Sequence, residues 1–210
     1  MAGYVSEAVI RRLPGYYRHL RELEAEGVRQ ISSQGLGTRM GLTASQIRQD
    51  INCFGGFGRQ GYGYSVPELR EHIGKILGVD QVHRMLIVGA GNIGRAIARS
   101  DSFSDNGFRT VAIFDNDPHK IGLSIGNVTV SDMADLEGYL SQNSVDIAML
   151  AVPAAKAQGV ADLLYACGIR AFWNFVPLDL KLPADVSVVN VHIEEGLEIL
   201  SFKMKQAREG

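Results

Sequence analysis

The densest chemistry in the chain sits between Met85 and Gly94, where the apolar run Met85-Leu86-Ile87-Val88 breaks into Gly89-Ala90-Gly91-Asn92-Ile93-Gly94. The pattern reads as a buried strand, a glycine-rich turn and the start of a helix. In a dinucleotide-binding unit the first glycine makes the tight turn, the second lets backbone approach a pyrophosphate, and the third lets helix and strand pack closely. The helix then offers its free N–H groups and positive dipole end to the phosphates. A plain tight turn in a chain with 24 glycines has the same appearance, so the context decides. A second apolar strand, Thr110 to Phe114, ends at Asp115, about 20 residues past the glycines, where an acid takes the ribose hydroxyls. A carboxylate there repels the extra 2′-phosphate of NADP, so NADH or NAD+ is the expected cofactor.

A second chemistry lies upstream. Thr43 is placed to cap a helix running from Ala44 to about Cys53, with Ile47 and Ile51 on its inner face. Ser45, Gln46, Arg48 and Gln49 then point outward. Arg48 suits bidentate recognition of guanine and the two glutamines suit adenine, although an ordinary solvated helix face has the same composition. Directly afterwards, Phe54 to Tyr64 alternates glycines with Phe57, Arg59, Gln60, Tyr62 and Tyr64. This ribbon reads as a wing with Arg59 at its tip, able to lie along a narrow minor groove.

The elements that position these groups follow from periodicity. Val9, Ile10, Leu13, Tyr16, Tyr17, Leu20 and Leu23 recur at helical spacing, and Pro14 is expected to end one helix after Leu13 and begin the next. Gly27 closes the second. A shorter helix over 31–40, capped by Ser32 or Ser33, a turn at Gly41 and the helix from Ala44 make a helix-turn-helix. A helix over 66–77, opened by Ser65 and Pro67 and ended by Gly78, is expected to bridge two domains. Beyond it strands alternate with helices: a strand over 145–152, a helix over 155–167, a strand over 169–175, a strand over 186–193 and a terminal helix from Glu194 to about Arg208. Such alternation predicts an α/β, doubly wound parallel sheet whose ligand lies outside the carboxyl ends of the strands, where Val152, Pro153, Asn174 and Pro177 fall.

Composition sets the bounds. A length of 210 residues with 46% hydrophobic content supports one large domain or two small ones with a real core. No apolar run approaches the ~20 residues a bilayer span needs, and the N-terminus lacks a signal-peptide apolar core, so a cytoplasmic protein is expected. Cys53 and Cys167 have neither disulfide nor zinc spacing and are expected to be small buried hydrophobes. The net charge of −2 divides into +3 over residues 1–65, whose bases are all arginine, and −5 over the remainder. A basic, arginine-only first third suits phosphate and base contacts.

Taken together the residues closely resemble Rex, the bacterial redox-sensing transcriptional repressor family. The likeness covers nearly the whole chain and rests on Arg12-Leu13-Pro14 with Tyr16-Tyr17-Arg18, Thr43 to Arg48 with Asp50, and Phe54-Gly55 leading to Gly61-Tyr62-Gly63-Tyr64. In the second half it rests on Gly89 to Gly94, on Phe114-Asp115-Asn116-Asp117-Pro118 with Lys120 and Gly122, and on Asn174-Phe175 with Pro177. The resemblance implies an N-terminal winged helix-turn-helix domain over 1–80, a Rossmann NAD(H)-binding domain over 81–192, and a C-terminal helix over 193–210 exchanged between the protomers of a homodimer. It implies a repressor that binds inverted-repeat operator DNA at low NADH and is released by NADH, with no catalytic or membrane role. The implied DNA contacts are Thr43, Ser45, Gln46, Arg48, Gln49, Arg59 and Tyr62. The implied cofactor site is Gly89, Ala90, Gly91, Asn92, Ile93, Gly94, Asp115, Lys120, Val152, Pro153, Asn174 and His192. Family members commonly carry a tyrosine in the first Rossmann helix and an aspartate after the last strand, a pair tied to redox switching; here those positions hold Ser100 and His192.

Two rival readings are a small NAD-dependent dehydrogenase and a CoA-binding domain. The first lacks a Tyr-x-x-x-Lys or a paired His and Asp, and has only about 30 residues after Asn174 to build a substrate pocket. Neither accounts for residues 1–65.

Overall fold

The computed structural model describes residues 6–55 and 63–209. The chain divides between Gln81 and Val82 into two units.

The first unit begins with α1 (Glu7–Ala25), which runs without a break through Pro14, against the expectation of two helices. The local rule is real: proline removes one helical hydrogen bond and clashes with the preceding turn, at a cost of ~3 kcal/mol. Burial outweighs it. Val9, Leu13, Tyr16, Leu20 and Leu23 form one buried stripe on both sides of Pro14, and each large side chain contributes roughly 1.5–3 kcal/mol on burial. That stripe packs on α4 (Val66–Leu77), whose Val66, Leu69 and Ile73 share its core. The helix over 66–77 is therefore built into the first unit instead of serving as an external bridge.

Between them lies the helix-turn-helix. In α2 (Ser33–Met40) the Ser32 hydroxyl accepts the Gly35 N–H at 3.0 Å, and Gly41 ends the helix in the left-handed region. Leu36 and Ile47 are fully buried where α2 meets α3 (Ala44–Asn52). A two-residue strand, β1 (Gln30–Ile31), pairs antiparallel with β2 (Tyr64–Ser65), which sets Tyr64 beside Ile31, just before α2. Arg59 and Tyr62 of the expected wing lie outside the described residues.

The second unit is a seven-stranded sheet. It comprises β3 (His83–Val88), β4 (Phe108–Asp115), β5 (Ser124–Ile125), β6 (Val128–Asp132), β7 (Ile147–Leu150), β8 (Ala171–Asn174) and β9 (Ser187–Asn190), in the order β5-β6-β4-β3-β7-β8-β9. All neighbours are parallel except β5, which pairs antiparallel with β6. Strand alternation divides the core between two faces. Leu86, Val88, Phe114 and Leu150 pack against α7 (Leu136–Gln142) and α8 (Ala154–Ala166), whereas Met85, Ile87, Ile113 and Met149 pack on the other side with α5 (Asn92–Arg99). A short α6 (Asp101–Ser104) precedes β4, and a 3-10 turn, Met133–Asp135, leads into α7. The last element, α9 (Ile193–Glu209), leaves Ile193, Leu197, Ile199, Leu200, Phe202 and Met204 between 49% and 68% exposed. Neither cysteine is fully buried: Cys53 is exposed just past α3, and Cys167 is half-buried.

Candidate dinucleotide site and nucleic-acid interface

From β3 the sheet grows one way through β4 and β6 and the other way through β7, β8 and β9. The carboxyl ends of β3 and β7 are thus a topological switch point, the place where open α/β sheets bind ligands. Gly89 leaves β3 there with φ +105, and a Cβ on it would strike the Ala151 carbonyl oxygen after β7. A Cβ on Gly94 would strike the Gly89 carbonyl oxygen, so the third glycine brings α5 against the turn. Gly91, the residue that caps α5, is different: a Cβ there would meet nothing within 4 Å. This open space before the N-terminus of α5 fits a pyrophosphate, since a helix leaves its first N–H groups unpaired there and no side chain caps them. Asn92 accepts a hydrogen bond from Arg95 Nη2 at 3.1 Å, which adds a cation that the sequence pattern alone did not single out.

Asp115 lies at the end of β4 beside this turn. Its buried carboxylate accepts the Ala90 N–H at 2.7 Å, the Asp117 N–H at 2.9 Å and Lys120 Nζ at 3.1 Å. Burial pushes the acid up, but the Asp117 N–H, Lys120 and the Ala90 N–H together hold it below its ordinary value. Three donors leave room for about one more acceptor interaction on the carboxylate, so Asp115 secures the glycine turn and keeps one acceptor position spare. Asp117, part of the same motif but not assigned to the site from the sequence, stands 3.5 Å from Lys120 and is the more exposed of the two acids.

Val152 and Pro153 follow β7 into α8 at the same edge. Asn174, expected to face the crevice, is fully buried and spends its amide on the loop beyond it. Its Nδ2 donates to the Leu178 carbonyl at 2.8 Å and to Asn190 Oδ1 at 2.9 Å, while its Oδ1 accepts the Val176 N–H at 3.1 Å. Asn190 in turn donates to Asp179 at 2.9 Å, and His192 Nε2 lies 3.9 Å from the same carboxylate. The structure therefore brings Gly89 to Gly94, Asp115, Lys120, Val152 and Pro153 to adjacent strand ends, with Asn174 and His192 further along that edge. Ser100 separates α5 from α6, its hydroxyl 2.9 Å from that of Ser102.

On the first unit, Thr43 caps α3 by accepting the Gln46 N–H at 3.1 Å. Ser45, Arg48 and Gln49 are exposed and Gln46 is half-buried. Arg48 Nη1 donates to the Ser33 hydroxyl at 3.1 Å, so the guanidinium is tethered to the first turn of α2. The exposed face of α3 thus carries a guanidinium and an amide side by side.

Residues 4–52 match the family model described as Putative DNA-binding protein N-terminus, and residues 80–178 match that of the CoA binding domain. The redox-sensing transcriptional repressor Rex of Thermoanaerobacter sp. (strain X514) is 50% identical over 202 residues, 96% of this chain and 90% of the relative. Rex of Clostridium tetani (strain Massachusetts / E88) is 48% identical over 205 residues, 98% of this chain and 97% of its own. The crystal structure of RSP with β-NAD+ and operator DNA is similar with a TM-score of 0.92 at 49% identity, over 98% of this chain and 94% of that one. RSP with β-NADH gives 0.90 at 46% identity, over 97% and 96%.

A helix-turn-helix unit joined in one chain to a Rossmann unit with a phosphate cradle defines the class: a DNA-binding regulator that answers to a dinucleotide. Identity near one half across almost the full length then fixes the family. The chain belongs to the Rex redox-sensing transcriptional repressors.

Proposed function

We propose that this protein represses transcription according to the NADH/NAD+ ratio, holding an inverted-repeat operator when NADH is scarce and leaving it when NADH accumulates. The observation that carries the reading is the presence in one chain of the exposed Arg48 helix and the open cradle at Gly91. When bound, the nicotinamide supplies the redox-dependent difference, neutral when reduced and cationic when oxidised. The chain's own residues bind and orient: N–H groups at Gly91, Asn92 and Ile93 clasp the pyrophosphate, and Asp115 with Lys120 holds the ribose end. Val152, Pro153 and the loop shaped by Asn174 border the other half, and His192 stands where it can sense that half. Thr43, Ser45, Gln46, Arg48 and Gln49, with Arg59 and Tyr62, meet the DNA.

The exposed apolar side of α9 supports a homodimer in which residues 193–210 are exchanged between protomers, beside a DNA-binding domain over 1–80 and a cofactor domain over 81–192. Among the described residues no helix is long and apolar enough to cross a membrane, which suits action on DNA in the cytoplasm. The test is a mobility shift on AT-rich inverted-repeat DNA with NADH, NAD+ or CoA added. NADH alone should release the complex. The match of residues 80–178 to a CoA binding domain motivates the third ligand, and release by CoA would favour that reading instead.

A further inference from the structure

The recognition-helix candidate α3 carries one charged residue on its inner face. Asp50 is 3% exposed, between the core residues Ile47 and Ile51. Its carboxylate is gripped entirely from α1: Arg12 Nε donates to Oδ2 at 2.7 Å, Arg12 Nη2 to Oδ1 at 2.8 Å, and the fully buried Tyr16 hydroxyl to Oδ2 at 2.9 Å. Arg12 and Tyr16 are one helical turn apart, so three donors converge from a single face. Burial and the bond to Asp50 push the Tyr16 phenol well above its ordinary value.

Burial of Ile47 and Ile51 decides which face of α3 turns inward, but apolar contact is non-directional and does not by itself fix the roll as a directed bond does. Beside the carboxylate lies a cavity of about 10 Å³ bordered by Leu13, Tyr16, Asp50, Ile51, Phe54 and His72. That space is scarcely enough for one water. A two-point guanidinium–carboxylate grip, by contrast, fixes direction as well as distance. At about 100° per residue, Arg48 and Ser45 project from the side of α3 opposite Asp50. Any roll of Asp50 about the axis therefore moves both groups across a base edge.

We infer that the Arg12–Asp50–Tyr16 triad sets the rotational register of α3, making Arg12 and Asp50 positioning residues for operator discrimination through Arg48 and Ser45. The inference rests on the DNA-binding reading of α3. Replacing buried ion pairs by apolar groups often leaves stability intact, so stability and register can be separated experimentally.

The experiment uses the full-length protein and an inverted-repeat duplex that wild type selects from a randomised pool, against a scrambled duplex of equal length. Arg12→Lys keeps the charge but loses the fork. It should fold, bind NADH as wild type does and bind scrambled DNA equally, while the preference for the selected duplex falls about tenfold. The apolar triple variant Arg12→Met/Tyr16→Phe/Asp50→Leu should melt at or above wild type and still discriminate poorly. Wild-type discrimination by Arg12→Lys, or by a stably folded triple variant, would overturn the register role. A wild-type protein with no preference for any duplex would overturn the DNA-binding reading itself and the register role with it.

Discussion

The carboxylate of Asp115 accepts the backbone N–H of Ala90 at 2.7 Å, which ties the end of β4 to the glycine turn that follows β3. The acid proposed to meet the ribose also holds the glycine turn in shape. Asp115→Ala should then do two things. NADH binding should weaken more than NADPH binding, because removing the carboxylate frees Lys120 to meet a 2′-phosphate. The cofactor-free protein should also lose about 1–3 kcal/mol, the cost of leaving buried donors unpaired. Calorimetric titration with both cofactors and thermal unfolding check the two parts. Equal loss for NADH and NADPH would leave Asp115 only the loop-holding role.

The same bonds give the second unit an acid dependence. Asp115 and Asp146 both sit below their ordinary value of 3.8, the latter because it accepts the Arg84 N–H and guanidinium. A depressed folded-state pKa contributes stability that is complete above the unfolded value and lost as pH falls through the folded one. Unfolding followed by the single tryptophan, Trp173 on β8, should therefore show destabilisation beginning near pH 4, and Asp115→Asn should remove part of that slope. A variant with the wild-type acid profile would show that Asp115 contributes nothing to it.

What the sequence made legible was the physics that repeats. Continuous apolar runs located β3, β4 and β7; glycines marked the turns; the Thr43 cap set the start of α3 to the residue, whereas α2 starts at Ser33, two residues after the expected Ile31, which belongs to β1. Where one local rule met burial the local rule lost, as at Pro14. The 7-residue α7, with Gly138 inside it, was too short to show a period. Likewise β1 and β2 have two residues each and a distant pairing partner, so no alternation announces them. Cys53 is exposed because it follows Ile51, the last inward position of α3. Asn174 was singled out because it ends a strand; that its amide also holds the following loop and Asn190 could be seen only in three dimensions. Asp50 left a readable clue, a charge between two inward isoleucines, but its partners on α1 could be named only in three dimensions.

Arg48 is the residue expected to read a base. Arg48→Ala should cost roughly 1–3 kcal/mol of operator binding and relax preference at one base pair. Arg59→Ala should weaken all sequences more evenly if that residue meets the backbone or minor groove. A binding-site selection on each variant separates the two patterns. Unchanged operator affinity in Arg48→Ala would mean that α3 enters the groove in another register.

Removing the chain after Asn190 should abolish the dimer. The six large apolar side chains of α9 are about half exposed or more, and a second copy is the occupant proposed for them. Sedimentation of the truncated protein should show monomers or aggregates. A well-folded truncated dimer would sink the exchanged-helix arrangement.

The strongest prediction concerns coupling. If operator favours one arrangement of the dimer and NADH another, each ligand must weaken the other by the same factor. A coupling of about 1–3 kcal/mol, roughly 5- to 150-fold, is expected. His192 adds a test specific to this chain, because it stands 3.9 Å from Asp179 and occupies the position after β9 where the family commonly has an aspartate. Exchanging that imidazole for an amide alters the contact with Asp179 at the edge that precedes α9, so His192→Gln should change the coupling. Titrating NADH against free and operator-bound protein, wild type and variant, measures both quantities. Equal NADH affinity with and without operator would refute release by NADH. A coupling that His192→Gln leaves unchanged would remove only the role of His192.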